Sequence, residues 1–337
     1  MTEKSVKSIE DIARLANVSK STVSRSLNDS PLIRQETKDR IQAIARENDF
    51  CLNQSARSLS THQAQAVAFV THAYYAEHFS IEDLFGLEIM GGVGSGLYGL
   101  GYDLMVIHVN PHDTEWAHRY LDSGRVDGFI LMTSTRKQRH IKILADVGAP
   151  FIVWGFPPEK FDCCSVIGDD IQGGKLATEH LVRTGRKHIG FIGGPADEIE
   201  VQHRYKGYET AMQAEGFEVD PRLVVYGDYS HASGISAMQQ LLERSPEVDA
   251  VFANSDLMAI GAINVIQGSG KRVPEDIAVV GYDDLSIASY NNLPLTTISQ
   301  KIPMAGRLLA QNLIQYIQTG LVTHVTIPVE LVVRKSA

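Results

Sequence analysis

The sequence contains little cysteine and no long apolar run. Its 337 residues include three cysteines, of which Cys51 stands alone and Cys163 adjoins Cys164, so no disulfide framework or Cys/His metal site is predicted. No apolar run is long enough to span a bilayer, and the N-terminal residues MTEKSVKSIED contain no segment of the signal-peptide type. These absences predict reduced thiols in a protein that stays in the cytoplasm.

Motifs of enzyme chemistry are equally scarce. The chain has no GxSxG elbow, no Walker loop and no HExxH helix, and its 12 histidines are scattered without metal-ligand spacing. Gly94, Gly96 and Gly99 do fit GxGxxG, but they precede the apolar run YDLMVIHV, whereas a dinucleotide loop follows a strand and opens a helix. The glycines therefore indicate close helix packing, and the sequence predicts no cofactor, no metal site and no catalytic residue.

Charge is distributed unevenly along the chain. The formal net charge is −9, yet residues 1–62 carry 10 Lys+Arg against 8 Asp+Glu, a net of +2, so residues 63–337 carry −11. A mildly basic head on an acidic body is typical of localised DNA contact and not of general polyanion binding.

Residues 8–28, SIEDIARLANVSKSTVSRSLN, predict two short helices joined by a tight turn. Ser8 and Ser19 suit N-caps, and Asn17 interrupts the apolar stripe of the first helix. The outward face of the second helix is polar and carries Lys20, Ser21, Thr22, Ser24, Arg25 and Asn28. Such a face on the second helix favours a helix-turn-helix that enters the DNA major groove over an ordinary helical hairpin.

The rest of the chain has a different pattern. A third amphipathic helix is predicted over ETKDRIQAIARENDF, and SLSTHQAQA has the composition of a linker. Beyond it, short apolar runs alternate with helical stretches, which indicates parallel sheets built from βαβ units. About 275 residues is long for one doubly wound sheet. We therefore predict an α/β fold, with a helix-turn-helix domain over residues 1–62 and a two-lobed core over residues 63–337.

Polar residues follow several of the apolar runs, at the place where ligands bind in open α/β sheets. Asn254 follows DAVFA, Asp283 follows DIAVVGY, and Arg204 lies after HIGFIGGP. Carboxylates, amides and a guanidinium fork together suit a polyhydroxyl ligand. Three aromatic rings are candidates to pack on the C–H face of a sugar: Tyr229, Trp154 and Phe85. Three further acids suit helix or turn caps equally well: Asp170, Asp256 and Asp284.

The strings VSKSTVSRSLN and NQSARSLS resemble the lactose-repressor/galactose-repressor (LacI/GalR) family of bacterial transcription regulators, and the likeness covers essentially the whole chain. The resemblance implies a hinge helix over about residues 53–61, although Leu52 replaces the family's usual proline. In the family this helix folds on the operator and its leucine wedges between base pairs in the minor groove. The implied hinge contacts to DNA are Asn53, Ala56, Arg57 and Leu59.

The resemblance also implies roles for the other candidate residues. Lys20, Ser21 and Arg25 would read base edges. The residues that would position the DNA backbone are Ser8, Thr22, Ser24, Asn28 and Thr37. In a periplasmic-binding-protein-like core, the implied effector ligands are Arg204 of R-x-x-G, Asp283 after its GY, Asn254 of the segment ANSDLMA and the aromatic Tyr229.

Three classes of function remain open from the residues. The favoured class is a repressor whose affinity for double-stranded operator DNA is controlled by a small effector, with a sugar expected. A solute-binding protein would leave the helical head unexplained, and an α/β enzyme with an appended helical domain would lack a nucleophile or cofactor motif. We expect a homodimer, because the lactose repressor's tetramerising C-terminal heptads have no counterpart in this sequence, in which VVRKSA follows soon after the last strands.

Overall fold

The computed structural model describes residues 6, 8–27, 30–50, 63–72, 84–110, 112–132, 138–157 and 160–337. The chain divides into two compact units, Met1–Ala64 and Gln65–Ala337. Some of the predicted DNA contacts lie outside the described residues, namely Asn28, Asn53, Ala56, Arg57 and Leu59.

The first unit contains the three predicted helices: α1 (Ile9–Ala16), α2 (Lys20–Leu27) and α3 (Gln35–Glu47). The predicted caps are confirmed, since Ser8 Oγ accepts from the Asp11 N–H at 3.2 Å and Ser19 Oγ accepts from the Thr22 N–H at 3.1 Å. Asn17 ends α1 in the left-handed conformation. The three helices enclose a core centred on Ile12, Val23 and Ile41, all fully buried.

The second unit contains two six-stranded sheets. The first sheet is parallel throughout and has the order β11-β5-β4-β3-β1-β2. Its strands are β1 (Ala66–His72), β2 (Asp103–Val109), β3 (Gly128–Met132), β4 (Phe151–Trp154), β5 (Cys164–Gly168) and β11 (His324–Ile327). The helices between them are α4 (Leu84–Gly99), α5 (Trp116–Leu121) and α6 (Gln138–Asp146), and α12 (Ile302–Thr319) packs on the same sheet.

The second sheet has the order β12-β10-β9-β8-β6-β7, parallel except for the β10–β12 pair. Its strands are β6 (Ile189–Gly193), β7 (Val224–Tyr226), β8 (Ala250–Ala253), β9 (Ala278–Asp283), β10 (Thr296–Ser299) and β12 (Glu330–Val332). Its helices are α7 (Asp170–Arg183), α8 (Ile199–Ala214), α9 (His231–Arg244), α10 (Asp256–Gly268) and α11 (Ser286–Tyr290).

The chain crosses between the two lobes three times: after β5, after β10 and after β11. Each sheet has an apolar core on both faces, which explains why its central strands appear in the sequence as continuous apolar runs. The prediction of parallel α/β lobes is confirmed, because each of the seven apolar runs of the sequence contains a strand. The runs are AVAFV, YDLMVIHV, VDGFILM, PFIVWG, HIGFIGG, DAVFAN and DIAVVGYDD, and their strands are β1, β2, β3, β4, β6, β8 and β9.

The GxGxxG glycines lie within α4 and not in a strand-to-helix loop, as the sequence indicated. A Cβ on Gly96 would lie 2.9 Å from the Cβ of Ala310 and 3.0 Å from the Cα of Arg307, both on α12. Gly94 and Gly99 have no such backbone contact. Close helix packing therefore accounts for Gly96, and the motif is not placed to cradle a dinucleotide.

Candidate functional site

A cavity of about 180 Å³ lies where the carboxyl ends of both sheets face each other. Met132, Trp154 and Gly168, the last residues of β3, β4 and β5, line it from the first sheet. From the second sheet it is lined by the last residue of β9 and by the residues that directly follow β8 and β10: Asp283, Asn254 and Gln300. This is the position at which open α/β sheets bind ligands.

The structure brings all six predicted effector residues to this one cavity: Phe85, Trp154, Arg204, Tyr229, Asn254 and Asp283. Four further polar lining residues are Asp170, Glu200, Ser255 and Gln300. The sequence permits either a cap or a ligand contact for Asp170, and it does not predict the other three. Two signals were available in the sequence, because Gln300 follows a strand and Glu200 lies one helical turn before Arg204.

Arg204 is buried and its charge is already paired. Its Nε donates to Asp170 Oδ1 at 2.7 Å, and its Nη1 donates to the Asn254 carbonyl oxygen at 2.8 Å. The guanidinium carbon lies 3.8 Å from the centroid of the Tyr282 ring, whose hydroxyl also donates to Asp170. Burial opposes the charge, but the Asp170 carboxylate raises the pKa of Arg204 above its ordinary value. Among the described residues, Nη2 has no hydrogen-bond partner and remains available to a ligand.

Asn254 is fully buried, and its side-chain Oδ1 and Nδ2 both lack a hydrogen-bond partner within the described part of the chain. A buried amide in this state loses its hydration without replacing it, which destabilises the fold by about 1–3 kcal/mol. Such groups are rare in native proteins. The amide therefore offers one donor group and one acceptor to a ligand in the cavity.

Asp283 ends β9 with a φ of 115°, in the left-handed region that few non-glycine residues adopt. Gln300 Nε2 donates to its Oδ1 at 2.8 Å. Burial raises the pKa of the Asp283 carboxyl to about 7, although the nearby Arg204 guanidinium acts in the opposite direction. The side chain can therefore accept or donate a hydrogen bond near neutral pH.

The structure resolves the alternative roles of the three remaining acids. Asp169 caps α7, so Asp170 is free for its ion pair with Arg204. Asp256 is not a cap, since its two oxygens accept from the Leu285 N–H at 2.7 Å and the Thr297 hydroxyl at 2.5 Å. Asp284 forms an ion pair with Arg334 at 2.6 Å and does not line the cavity.

The two walls of the cavity differ in character. The wall from the first lobe is apolar and includes Phe85 and Trp154, whose ring centroids are 5.8 Å apart. The wall from the second lobe is mainly polar and includes two leucines, Leu257 and Leu285. It also includes Tyr229, whose hydroxyl donates to Glu200 Oε1 at 3.3 Å. A sugar has the same two kinds of surface, because its C–H faces are apolar and its edges carry hydroxyl groups.

The contacts between the lobes beside the cavity include a hydrogen bond and a ring contact. Glu88 on α4 accepts a hydrogen bond from the Ser286 N–H at 2.8 Å. The ring of Phe156, just after β4, packs edge-on against His203 of α8 with centroids 4.7 Å apart. A change in the angle between the lobes would alter both contacts.

The helical head presents most of the predicted DNA contacts to solvent. Lys20, Ser21 and Arg25 are exposed on α2, and Lys20 forms an ion pair with Glu10 of α1. The partly exposed residues among the predicted contacts are Ser8, Thr22, Ser24 and Thr37. Base contact by Lys20 therefore requires this surface ion pair to open, at a cost of about 0–1 kcal/mol.

The described residues contain no group of three or more His, Cys, Asp or Glu side chains arranged to hold a metal ion. None of their helices is long and apolar enough to cross a membrane.

Both units of the chain match models of known protein families. Residues 8–53 match the model for bacterial regulatory proteins of the lacI family, and residues 80–335 match that for periplasmic binding proteins and the sugar binding domain of the LacI family. The chain is 37% identical over 328 residues to the HTH-type transcriptional regulator CelR of Thermobifida fusca, covering 96% of this chain and 94% of that protein.

Two solved structures are similar over almost the full length. A transcriptional regulator CelR–cellobiose complex has a TM-score of 0.74 and 34% identity, covering 98% of this chain and 99% of that one. The lac repressor dimer bound to operator and the anti-inducer ONPF has a TM-score of 0.81 and 29% identity, covering 98% of each chain.

Proposed function

Because this chain belongs to the LacI family of DNA-binding bacterial regulatory proteins, we propose that it is a homodimeric repressor controlled by a sugar. The sugar binds in the cleft between the lobes, and the two helix-turn-helix domains of the dimer bind a pseudo-palindromic operator. DNA recognition belongs to residues 1–62, and effector binding and dimerisation to residues 63–337. The protein acts in the cytoplasm, where its operator lies, and binds its ligand without turning it over.

The main support for a ligand in the cleft is the buried side-chain amide of Asn254. Its two unpartnered polar atoms share the cavity with the free Nη2 of Arg204 and with the carboxyl of Asp283. Together these groups offer donors and acceptors to several neighbouring hydroxyls, while Trp154 and Phe85 supply an apolar surface for a C–H face. The complex of the relative CelR with cellobiose supports a sugar as the ligand class.

On the DNA side, α2 enters the major groove, where Lys20, Ser21 and Arg25 read base edges. Ser8, Thr22, Ser24, Asn28 and Thr37 contact the phosphate backbone. Asn53, Ala56, Arg57 and Leu59 belong to the hinge helix, in which Leu59 inserts between base pairs in the minor groove. The lac repressor dimer bound to operator supports this arrangement.

The two activities are coupled through the angle between the lobes. A ligand that contacts both walls of the cavity stabilises one lobe angle over another, and the contacts Glu88–Ser286 and Phe156–His203 change with it. The largest shift in operator affinity that a ligand can cause is the ratio of its affinities for the two lobe angles.

The proposal is tested by titrating the purified full chain with cellobiose and other unphosphorylated sugars in a calorimeter. We expect a sugar to bind in a 1:1 ratio to the protomer and to raise the melting temperature, because a ligand that binds only the native state stabilises it. Absence of binding by every sugar in the panel, from a chain that binds a selected operator, would contradict the assignment of the cleft.

A further inference from the structure

Glu200 lines the cleft from the first turn of α8, one helical turn before Arg204. The hydroxyl of Tyr229 donates to its Oε1 at 3.3 Å. Across the described part of the chain, no Lys, Arg or His nitrogen lies within ion-pair distance of the Glu200 carboxylate. Glu200 is therefore a partly buried acid whose charge has no cation of its own.

The cleft as a whole has an excess of acid. The charged groups among its described lining residues are three carboxylates, on Asp170, Glu200 and Asp283, and one guanidinium, on Arg204. Arg204 is committed to Asp170 by the 2.7 Å ion pair, to the Asn254 carbonyl oxygen and to the face of the Tyr282 ring. Glu200 and Asp283 therefore remain as two acids that no cation neutralises by direct contact.

We infer that Glu200 makes the cleft selective for uncharged sugars and excludes their phosphorylated and carboxylated counterparts. This inference rests on the proposed function, since it names the class of sugar that the same cleft accepts. Sugar hydroxyls donate hydrogen bonds to the carboxylates, so a neutral sugar is compatible with Glu200 and Asp283. An anionic group beside Glu200 would meet a like charge in a site of low dielectric, where repulsion is screened little. Nη2 of Arg204 offsets this repulsion only in part, because Asp170 already pairs with the guanidinium.

The electrostatics of Glu200 agree with this inference. Burial raises the pKa of the Glu200 carboxyl, and its neighbours Glu198 and Asp170 act in the same direction, while Arg204 opposes them. A second anion beside this carboxyl would raise its pKa further, so the anion would bind either against repulsion or with uptake of a proton.

Glu200 can be changed without dismantling the site. Glutamine has nearly the same shape and keeps an oxygen that accepts from the Tyr229 hydroxyl, so Glu200→Gln removes the charge alone. Glu200→Asp keeps the charge on a shorter side chain. Glu209→Gln provides a matched control, because Glu209 lies on the same helix, pairs with the exposed Lys206 and does not line the cavity.

The experiment is calorimetry on the full chain with paired probes: cellobiose and cellobiose 6′-phosphate, glucose and glucose 6-phosphate, galactose and galacturonate. We expect each neutral sugar that binds to bind at least about tenfold more tightly than its anionic partner, which corresponds to about 1.4 kcal/mol. Glu200→Gln should reduce this ratio about tenfold, mainly by tighter binding of the anion. Glu200→Asp and Glu209→Gln should retain the ratio.

Four results would overturn the inference. Equal affinity of the wild-type chain for neutral and anionic partners would do so while leaving sugar binding intact. An unchanged ratio in Glu200→Gln, or a folded Glu200→Gln protein that binds neither partner, would assign Glu200 another role. If the wild-type chain binds no sugar of either charge, the proposed function fails, and the inference fails with it.

Discussion

Arg204 of α8 and Asp170 of α7 form a buried ion pair in the floor of the cleft, with Nε 2.7 Å from Oδ1. Asp170 also accepts from the Tyr282 hydroxyl at 3.1 Å, and the Tyr282 ring lies against the guanidinium. A buried pair is weak evidence for stability, since desolvation offsets most of its attraction. The ion pair instead orients Arg204, because it holds the guanidinium in place and leaves Nη2 without a partner.

The first prediction follows from this pair. Arg204→Ala should lower the free energy of unfolding by about 3–5 kcal/mol, because it leaves Asp170 buried and without its cation. Urea denaturation of the full chain measures the effect. Arg183→Ala is the matched control, since Arg183 forms an exposed pair with Glu179 on α7 and its loss should cost about 0–1 kcal/mol. Equal stability of the two variants would show that the pair does not hold the cleft together.

The second prediction concerns Asn254. Substitution of this residue separates the effect on ligand binding from the effect on stability better than substitution of Arg204 does. Asn254→Ala removes no hydrogen bond of its side chain among the described residues, so the free energy of unfolding should stay within about 1 kcal/mol of wild type or rise. Sugar affinity in the calorimeter should fall about 10- to 100-fold, because the donor and acceptor of the amide are lost.

A suitable control is Asn264→Ala, which lies on α10 and bonds to His231 outside the cavity. It should bind the sugar like the wild-type chain. Full sugar affinity in Asn254→Ala would remove this residue from the site and would favour a purely structural cavity.

The third prediction is a pH dependence of stability set by Asp283. The folded carboxyl, with a pKa of about 7, still holds a proton that the unfolded carboxyl, with its ordinary value of 3.8, has released. The free energy of unfolding should therefore fall as pH rises from about 4 through 7, and Asp283→Asn should reduce that slope. Burial also raises the pKa of Asp256, so part of the slope should remain in this variant.

Urea midpoints measured at pH 5, 6, 7 and 8 test this dependence. Asp276→Asn serves as the control, because the side-chain hydrogen bond from Arg272 lowers the pKa of the exposed Asp276 carboxyl to about 2, below the tested range. A slope that is the same in wild type and Asp283→Asn would mean that Asp283 ionises at its ordinary pH in the folded chain.

The fourth prediction concerns base reading by the head. If the exposed Arg25 makes a bidentate contact with a guanine, Arg25→Ala should cost about 1–3 kcal/mol and relax specificity at one base pair. Binding to a selected operator and to its single-base variants at fixed salt provides the measurement. Uniform weakening across all variants would instead assign Arg25 to the phosphate backbone.

The sequence predicts best those residues whose structural role depends only on their neighbours along the chain. The caps Ser8 and Ser19, and the strands with continuous apolar runs, depend on local pattern alone. Five strands correspond to no predicted run: β5 (CSVIG), β7 (VVY), β10 (TTIS), β11 (HVTI) and β12 (ELV). β7 and β12 are only three residues long, and polar residues interrupt the other three.

The roles of the acids depended on tertiary contact. Asp169 and Asp170 are adjacent and equally suited to cap α7, and only the approach of α8 with Arg204 decides which one enters the cavity. Glu200 had no motif of its own, and its position follows from the face that α8 turns toward the cleft. Asp256 resembled a cap but bonds to Leu285 and Thr297, which lie far along the chain.

The central claim, that a sugar in the cleft controls operator binding, is tested most directly by measuring operator affinity with and without saturating neutral sugars, for wild type and Asn254→Ala. We predict that at least one sugar shifts the wild-type dissociation constant by about 5- to 150-fold. Asn254→Ala should bind the operator equally well without sugar and lose the shift. An operator affinity that no sugar alters in the wild-type chain, or a full shift in Asn254→Ala, would contradict the account.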